Sequence, residues 1–273
     1  GGGVLGDLGG FCAGTLLRGI DFIQVPTTLL AMVDSSVGGK TGINAAVGKN
    51  LIGVFYQPRL VLADLSLLAT LPQVEVSAGI AEIIKYGAIM DGAFFSYLED
   101  NMAGLKKREP SILRHAVERS VAMKAAVVSG DEKEQRPDGG RMLLNFGHTF
   151  AHAIEAELHY RPLARGGILH GQAVGFGMLL AAHFSEYLGV GQHLVPRLKK
   201  LLQAASLPTS FADLPPLSKT GWRAERLLAH MYHDKKVSGQ QLVFVLLESL
   251  GRAVVQRGVA ATDLVQFLQK HYL

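Results

Sequence analysis

Apolar and polar positions along this chain follow two different periods, and the change falls near residue 66. Before it the apolar runs are short and broken by glycine. Residues 11–18 carry the spacing of a helix, 21–25 are short and apolar enough for a buried strand, and 27–33, entered through Pro26, predict a second helix. Residues 37–50 hold Gly38, Gly39, Gly42 and Gly48, too many for a regular element, and predict a loop or short hairpin. Residues 59–64 predict one more buried strand. From residue 67 the period is helical, over 74–86, 93–98, 111–128, 146–158, 171–188 and 194–205. A small hairpin over 241–247 and 251–256 and a last helix from Ala261 complete the prediction, with no internal repeat.

With 273 residues, 48% of them hydrophobic and 18% charged, the chain can bury a large core in one large domain or two smaller ones. Apolar stretches such as 174–182 are interrupted well before the roughly 18 residues of a membrane span, and no basic segment leads an apolar one, so the expectation is a cytoplasmic protein without membrane insertion. Cys12 is the single cysteine, which excludes an internal disulfide and a thiolate zinc cluster. The net charge of +4 comes from scattered Lys and Arg with few aromatics beside them, which argues against nucleic acid. Several cations instead stand among glycines or histidines, as a small anionic substrate requires. The 32 glycines exceed the usual share of about 7% and point to tight turns in the first fifty residues.

Gly1, Gly3 and Gly6 satisfy G-x-G-x-x-G, a spacing that can bring backbone N–H groups and a helix N-terminus to a pyrophosphate. No strand stands before them, and a plain glycine-rich turn reads equally well. The sharpest pattern is Asn145 to His152, where His148 and His152 lie four apart and share one face of a helix. His170 precedes another helix, and Glu82 lies on an otherwise apolar one, where an unpaired carboxylate is costly. Histidines with a carboxylate suit a zinc site with an open position; polar residues making ordinary core hydrogen bonds are the alternative. Lys85, on the same apolar helix, reads as a placed cation or as a helix-surface partner of Glu82. Asp131-Glu132-Lys133-Glu134 reads as a solvated run, and His233-Asp234-Lys235-Lys236 as an exposed turn.

Taken in order, these strings resemble the 3-dehydroquinate synthase family: the opening glycines, Val25 to Ala31, Val33 to Gly42, Gly48 to Asn50, Ala81 to Gly87, Asn145 to His152, Leu169 to Gly171 and His233 to Lys236. The resemblance implies an α/β plus all-α chain. An incomplete Rossmann-like nucleotide-binding domain would cover 1–66 and a helical metal- and substrate-binding domain 67–273, with the active site in the cleft. It implies NAD and a divalent metal, zinc or else cobalt, as cofactors, a small phosphorylated sugar acid as substrate, and a homodimer. The metal ligands become Glu82, His148 and His170, which revises the pairing of His148 with His152. His152 then serves proton transfer and phosphate contact, with Glu134, Lys85 and Lys124 as its catalytic companions.

Substrate contacts implied by the same resemblance are Arg18 from across the dimer, Asp34, Lys40, Asn50, Lys85, Lys124, Arg141, Asn145, His152 and one of Lys235 and Lys236. The NAD positions are Gly1, Gly2, Gly3, Asp7, Thr27, Thr28, Lys49 and Thr70. The implied reaction takes 3-deoxy-D-arabino-heptulosonate 7-phosphate to 3-dehydroquinate and phosphate. A sedoheptulose 7-phosphate cyclase, a metal-dependent polyol dehydrogenase and a non-catalytic metal-binding chain are the alternatives. Gln172, Ala151, Ala45 and Tyr56 depart from the commonest family pattern, and none is an implied ligand. About the first third of the nucleotide domain has no counterpart in the sequence, so NAD affinity is expected to be poor if nothing replaces those strands.

Overall fold

The computed structural model describes residues 1–45, 48–136, 139–217, 221–234 and 242–273; the side chains of residues 44, 45, 48–51, 233 and 234 are also outside the description. By its internal contacts the chain divides into two compact units. One comprises Gly1–Ile83 with Ala103–Arg141, the other Ile84–Met102 with Met142–Leu273.

The first unit contains α1 (Gly3–Thr15), β1 (Ile23–Gln24), β2 (Lys40–Ala45), β3 (Gly48–Phe55), β4 (Leu60–Val61), the start of α2 (Gln73–Met90), the end of α3 (Gly92–Lys106) and α4 (Pro110–Gly130). β1 and β4 pair in parallel, Ile23 opposite Leu60 and Gln24 opposite Val61, which is the strand arrangement of a Rossmann-like half. The expected glycine-rich stretch is a hairpin, β2 against β3, with Lys40 opposite Phe55.

The opening differs from its expected loop. α1 already begins at Gly3 and is closed by the Gly6 N–H to Gly2 O bond of 3.1 Å, so Gly6 lies inside the helix. Gly10 and Gly14 serve close packing rather than turns. A Cβ at Gly10 would fall 2.4 Å from Thr41 Cγ2, and one at Gly14 would fall 2.8 Å from Val54 Cγ2, so only glycine lets α1 lie this close to the hairpin. Each glycine costs a helix about 1 kcal/mol relative to alanine, and tertiary contact overrides that propensity here.

The second unit holds the rest of α2, the start of α3, α5 (His148–Glu157), α6 (His170–Tyr187), α7 (Val195–Ala204), α8 (Ala224–Asp234), the antiparallel pair β5 (Leu242–Ser249) and β6 (Arg252–Val259), and α9 (Ala261–His271). Phe184 anchors its core, with ring centroids 5.0 Å from Phe267 and 5.3 Å from Phe244; Phe150 lies 5.4 Å from Phe244. Helix α8 is an addition to the predicted elements. Its buried residues Ala224, Leu227 and Met231 recur at helical spacing, yet the helix is only 11 residues long. It also corrects the turn expected at 233–236, because His233 and Asp234 end the helix; Lys235 and Lys236 lie outside the described residues. Among the described residues no helix is long and apolar enough to cross a membrane.

Candidate active site

Helix α2 is apolar on every side and correspondingly buried, with Val76, Ile80, Ile83, Ile84, Tyr86 and Ile89 all at most 3% exposed. Beyond Glu75 in its first turn, two charged groups interrupt it, Glu82 at 0% and Lys85 at 1% exposure. Charges are placed inside such a helix only where something compensates them. Glu82 stands two residues before α2 passes into the second unit, on an unbroken helix, so its carboxylate is carried by the same rod as Lys85.

The two histidine helices meet through their backbones. Gly147, in the left-handed region at φ 79°, turns the chain into α5, and a Cβ there would fall 2.6 Å from the Met178 backbone N. A Cβ at Gly177 of α6 would in turn sit 2.3 Å from the Gly147 carbonyl oxygen. This contact fixes His148, the first residue of α5, against α6, while His170 opens α6 itself. The Gln172 side chain accepts the Leu169 N–H at 3.1 Å and caps that helix start, so the amide found here in place of a carboxylate still makes the capping bond.

Glu82, His148 and His170 each present one ligand atom within 4.8 Å of the others. One carboxylate and two imidazoles with a position left open are the donor set of a catalytic zinc site, so these residues fit a divalent metal. His152 lies beside the triad, its ring centroid 5.7 Å from His148 and 6.2 Å from His170. Burial pushes the His148 pKa well below the ordinary 6.5, and Lys85, His170 and His152 push it the same way. His148 is therefore neutral at pH 7, the state in which imidazole binds metal.

The first unit gathers several of the predicted anion-binding residues. Lys124, 6% exposed, donates to the Asp34 carboxylate at 2.6 Å and to the Asp34 carbonyl at 2.5 Å. Asp7 of α1 feels the same pair. Burial first and then the Asp34 charge raise its pKa to about 6, against the opposing pull of Lys124. Lys40 is ion-paired with Glu134, so two residues 94 positions apart are joined. Arg141 is buried and donates to the carbonyls of Gly38 at 3.0 Å and Glu132 at 2.8 Å. Gly38, at φ 114°, has no room for a side chain because a Cβ would fall 2.5 Å from the Arg141 guanidinium.

Asp131, which reads from sequence as one member of a solvated run, organises this loop. Its carboxylate accepts N–H bonds from Gln135 at 2.8 Å, Arg136 at 3.3 Å and Arg141 at 3.0 Å. Burial pushes its pKa up, but those three donors and the Arg136 charge outweigh it and hold the carboxyl below its usual 3.8. A depressed carboxyl stabilises the fold above the unfolded pKa and loses that contribution as pH falls through the folded value. Hydrogen exchange on an Asp131→Ala variant should therefore show the Gln135, Arg136 and Arg141 amides exchanging at least about tenfold faster at neutral pH. The same amides in the parent should lose protection only below about pH 3.8.

Gly1, Gly2, Thr27 and Thr28 come together at the start of α1. Thr27 N–H reaches Gly1 O at 3.0 Å, and a Cβ on Gly2 would lie 3.5 Å from Thr28 Cγ2. Gly3 packs as closely, its Cβ position lying 3.1 Å from Ser35 Oγ. This is a side-chain-free cradle at a helix N-terminus, the arrangement that accepts a dinucleotide pyrophosphate. Thr70 ends the 3-10 segment Leu65–Thr70, Arg18 ends another at φ 67°, and both are exposed, as is Asn145. Lys49 and Asn50, whose side chains are not described, and Lys235 and Lys236 lie outside what the structure describes.

Two family models match the chain in succession, 3-dehydroquinate synthase N-terminal over residues 1–78 and 3-dehydroquinate synthase C-terminal over residues 79–237. The 3-dehydroquinate synthase of Caulobacter vibrioides is 53% identical over 270 residues, which are 98% of this chain and 70% of that relative. Among solved structures, 2-deoxy-scyllo-inosose synthase complexed with carbaglucose-6-phosphate, NAD+ and Co2+ superposes with a TM-score of 0.83 at 28% identity, covering 100% of this chain and 72% of that one. The 2-epi-5-epi-valiolone synthase of Streptomyces hygroscopicus, with NAD+ and Zn2+ bound, gives 0.84 at 26%, covering 98% and 71%. The fold is thus that of the sugar phosphate cyclases. With both halves of one family matched in order and a relative sharing 53% of positions across nearly the whole sequence, the chain belongs to the 3-dehydroquinate synthase family.

Proposed function

We propose that this chain converts 3-deoxy-D-arabino-heptulosonate 7-phosphate to 3-dehydroquinate and phosphate, working in the cytoplasm as a homodimer with NAD and zinc, or cobalt in its place. The observation that carries the reading is the triad Glu82, His148 and His170, with Glu82 three residues before the buried cation Lys85 on α2, in a chain that matches both halves of one family. Residues 1–66 belong on this reading to the NAD-binding domain and 67–273 to the metal- and substrate-binding domain. The bound cofactors supply a reversible hydride acceptor and a Lewis acid.

The residues of the chain do the rest. Lys40, Lys85, Lys124 and Arg141 hold the substrate carboxylate and phosphate, and Asp34 keeps the Lys124 ammonium in place. Arg18 reaches the phosphate from the partner subunit, and Asn50, Asn145 and one of Lys235 and Lys236 complete the substrate contacts. When the C6 proton is lost, the electron pair left on carbon expels phosphate from C7. His152, next to two of the metal ligands, exchanges a proton with that phosphate, and Glu134 takes part as acid or base. Gly1, Gly2, Gly3, Asp7, Thr27, Thr28, Lys49 and Thr70 serve NAD.

The test is phosphate release from the heptulosonate phosphate by the zinc-loaded chain with NAD, with the organic product identified. Stoichiometric phosphate and 3-dehydroquinate without net NADH are expected. Accumulating NADH would mark a polyol dehydrogenase, preference for sedoheptulose 7-phosphate a different cyclase, and metal binding without phosphate release a non-catalytic chain.

A further inference from the structure

We propose that Glu155 is a positioning residue of the metal centre, accepting a hydrogen bond from the Nδ1–H of His170 so that Nε2 of the same ring faces the metal. The inference rests on the metal reading above and extends it to a residue outside the ligand set. Glu155 follows His148 by seven residues and His152 by three on α5, so the three project within about 60° of one another on one helix face. That face meets the start of α6, where the His170 Nδ1 lies 3.4 Å from Glu155 Oε1. Glu155 is only 5% exposed, on a helix flanked by buried Ile154 and Ala153, and a carboxylate is kept in such a place only by compensating interactions.

Imidazole offers two nitrogens, and the one that is hydrogen-bonded as N–H cannot also coordinate. A carboxylate at Nδ1 therefore selects the tautomer, holds the ring plane and raises the basicity of Nε2. Glu157, two residues further on, shows that burial alone does not dictate this placement: it points to α8 instead, with His230 Nε2 at 2.8 Å and Arg226 at 2.9 Å.

The test measures zinc affinity of the full 273-residue chain by competition with a chromophoric chelator. Glu155→Ala should weaken zinc about 10- to 100-fold, and Glu155→Gln, which can still accept the N–H bond without the charge, should lose less. Nitrogen NMR of the zinc-loaded parent gives a readout without substitution, with Nδ1 of His170 protonated and Nε2 metal-bound. Zinc on Nδ1, or Glu155 variants within about twofold of the parent, overturns the proposal. A parent that binds no zinc, or a His148→Ala variant that binds it unchanged, overturns the metal reading and this inference with it.

Discussion

Replacing His148 by alanine should strip the metal from the protein and lower phosphate release by about 10³-fold or more. Among the described residues three protein ligands converge, so deleting one leaves a carboxylate and a single imidazole on different helices, too few to hold a divalent ion against solvent. The Lewis acid then disappears from the reaction, and several kcal/mol of transition-state stabilisation correspond to about three powers of ten in rate. His152→Ala is the informative companion. The residue lies four positions along the same helix with its ring centroid 5.7 Å from that of His148, yet the variant should retain about one metal per chain while losing phosphate release. Metal analysis by atomic absorption beside the phosphate assay separates the two. If His152→Ala loses its metal as fully as His148→Ala does, then His152 is a ligand and the triad is wrongly composed.

That contrast also marks how far the sequence could be read. The i, i+4 spacing of His148 and His152 correctly places both on one helix face, but spacing within a helix cannot say which of two imidazoles turns toward a third ligand 22 residues away at the start of α6. The resemblance chose His170 over His152, and the geometry agrees through a Gly147–Gly177 backbone contact that no periodicity encodes. Helices α2, α4 and α6 were legible because their apolar residues recur over many turns. Helix α8 was not, because Ala224, Leu227, Leu228 and Met231 recur over barely three turns among charged and polar positions. The glycines of α1 were read as turns because their use, admitting the hairpin to within a Cβ radius of the helix, depends on residues 31 and 40 positions away. Asp131 was hidden differently. A carboxylate in an acidic run looks solvated until the backbone it closes on, ten residues later at Arg141, is known. Glu155 carried a faint signal, the stripe 148, 152, 155, which only the position of His170 makes meaningful.

Lys85→Met should leave the protein as stable as the parent or more so, while reducing kcat/KM from about 30-fold to a few thousandfold. The side chain is 1% exposed on a helix whose neighbours Ile83, Ile84, Tyr86 and Ala88 are completely buried, so the fold bears the desolvation of an ammonium that methionine would spare it. Methionine fills nearly the same volume and adapts to irregular packing, which removes the charge without opening a cavity. On the proposed reading this ammonium binds the substrate, and the loss of one desolvated ion-paired contact of about 2–5 kcal/mol sets the expected fall in kcat/KM. Thermal unfolding and steady-state kinetics on the same preparation give both halves of the result. A lysine that only propped the helix would show the opposite pattern, with a lowered Tm and a kcat/KM that recovers once the measurement is made well below that Tm. Because Lys85 also shifts His148 toward its neutral form, the metal content of the variant belongs in the same experiment. Metal retained at one per chain with kcat/KM reduced assigns the effect to substrate binding; metal lost would mean that Lys85 acts through the ligand triad instead.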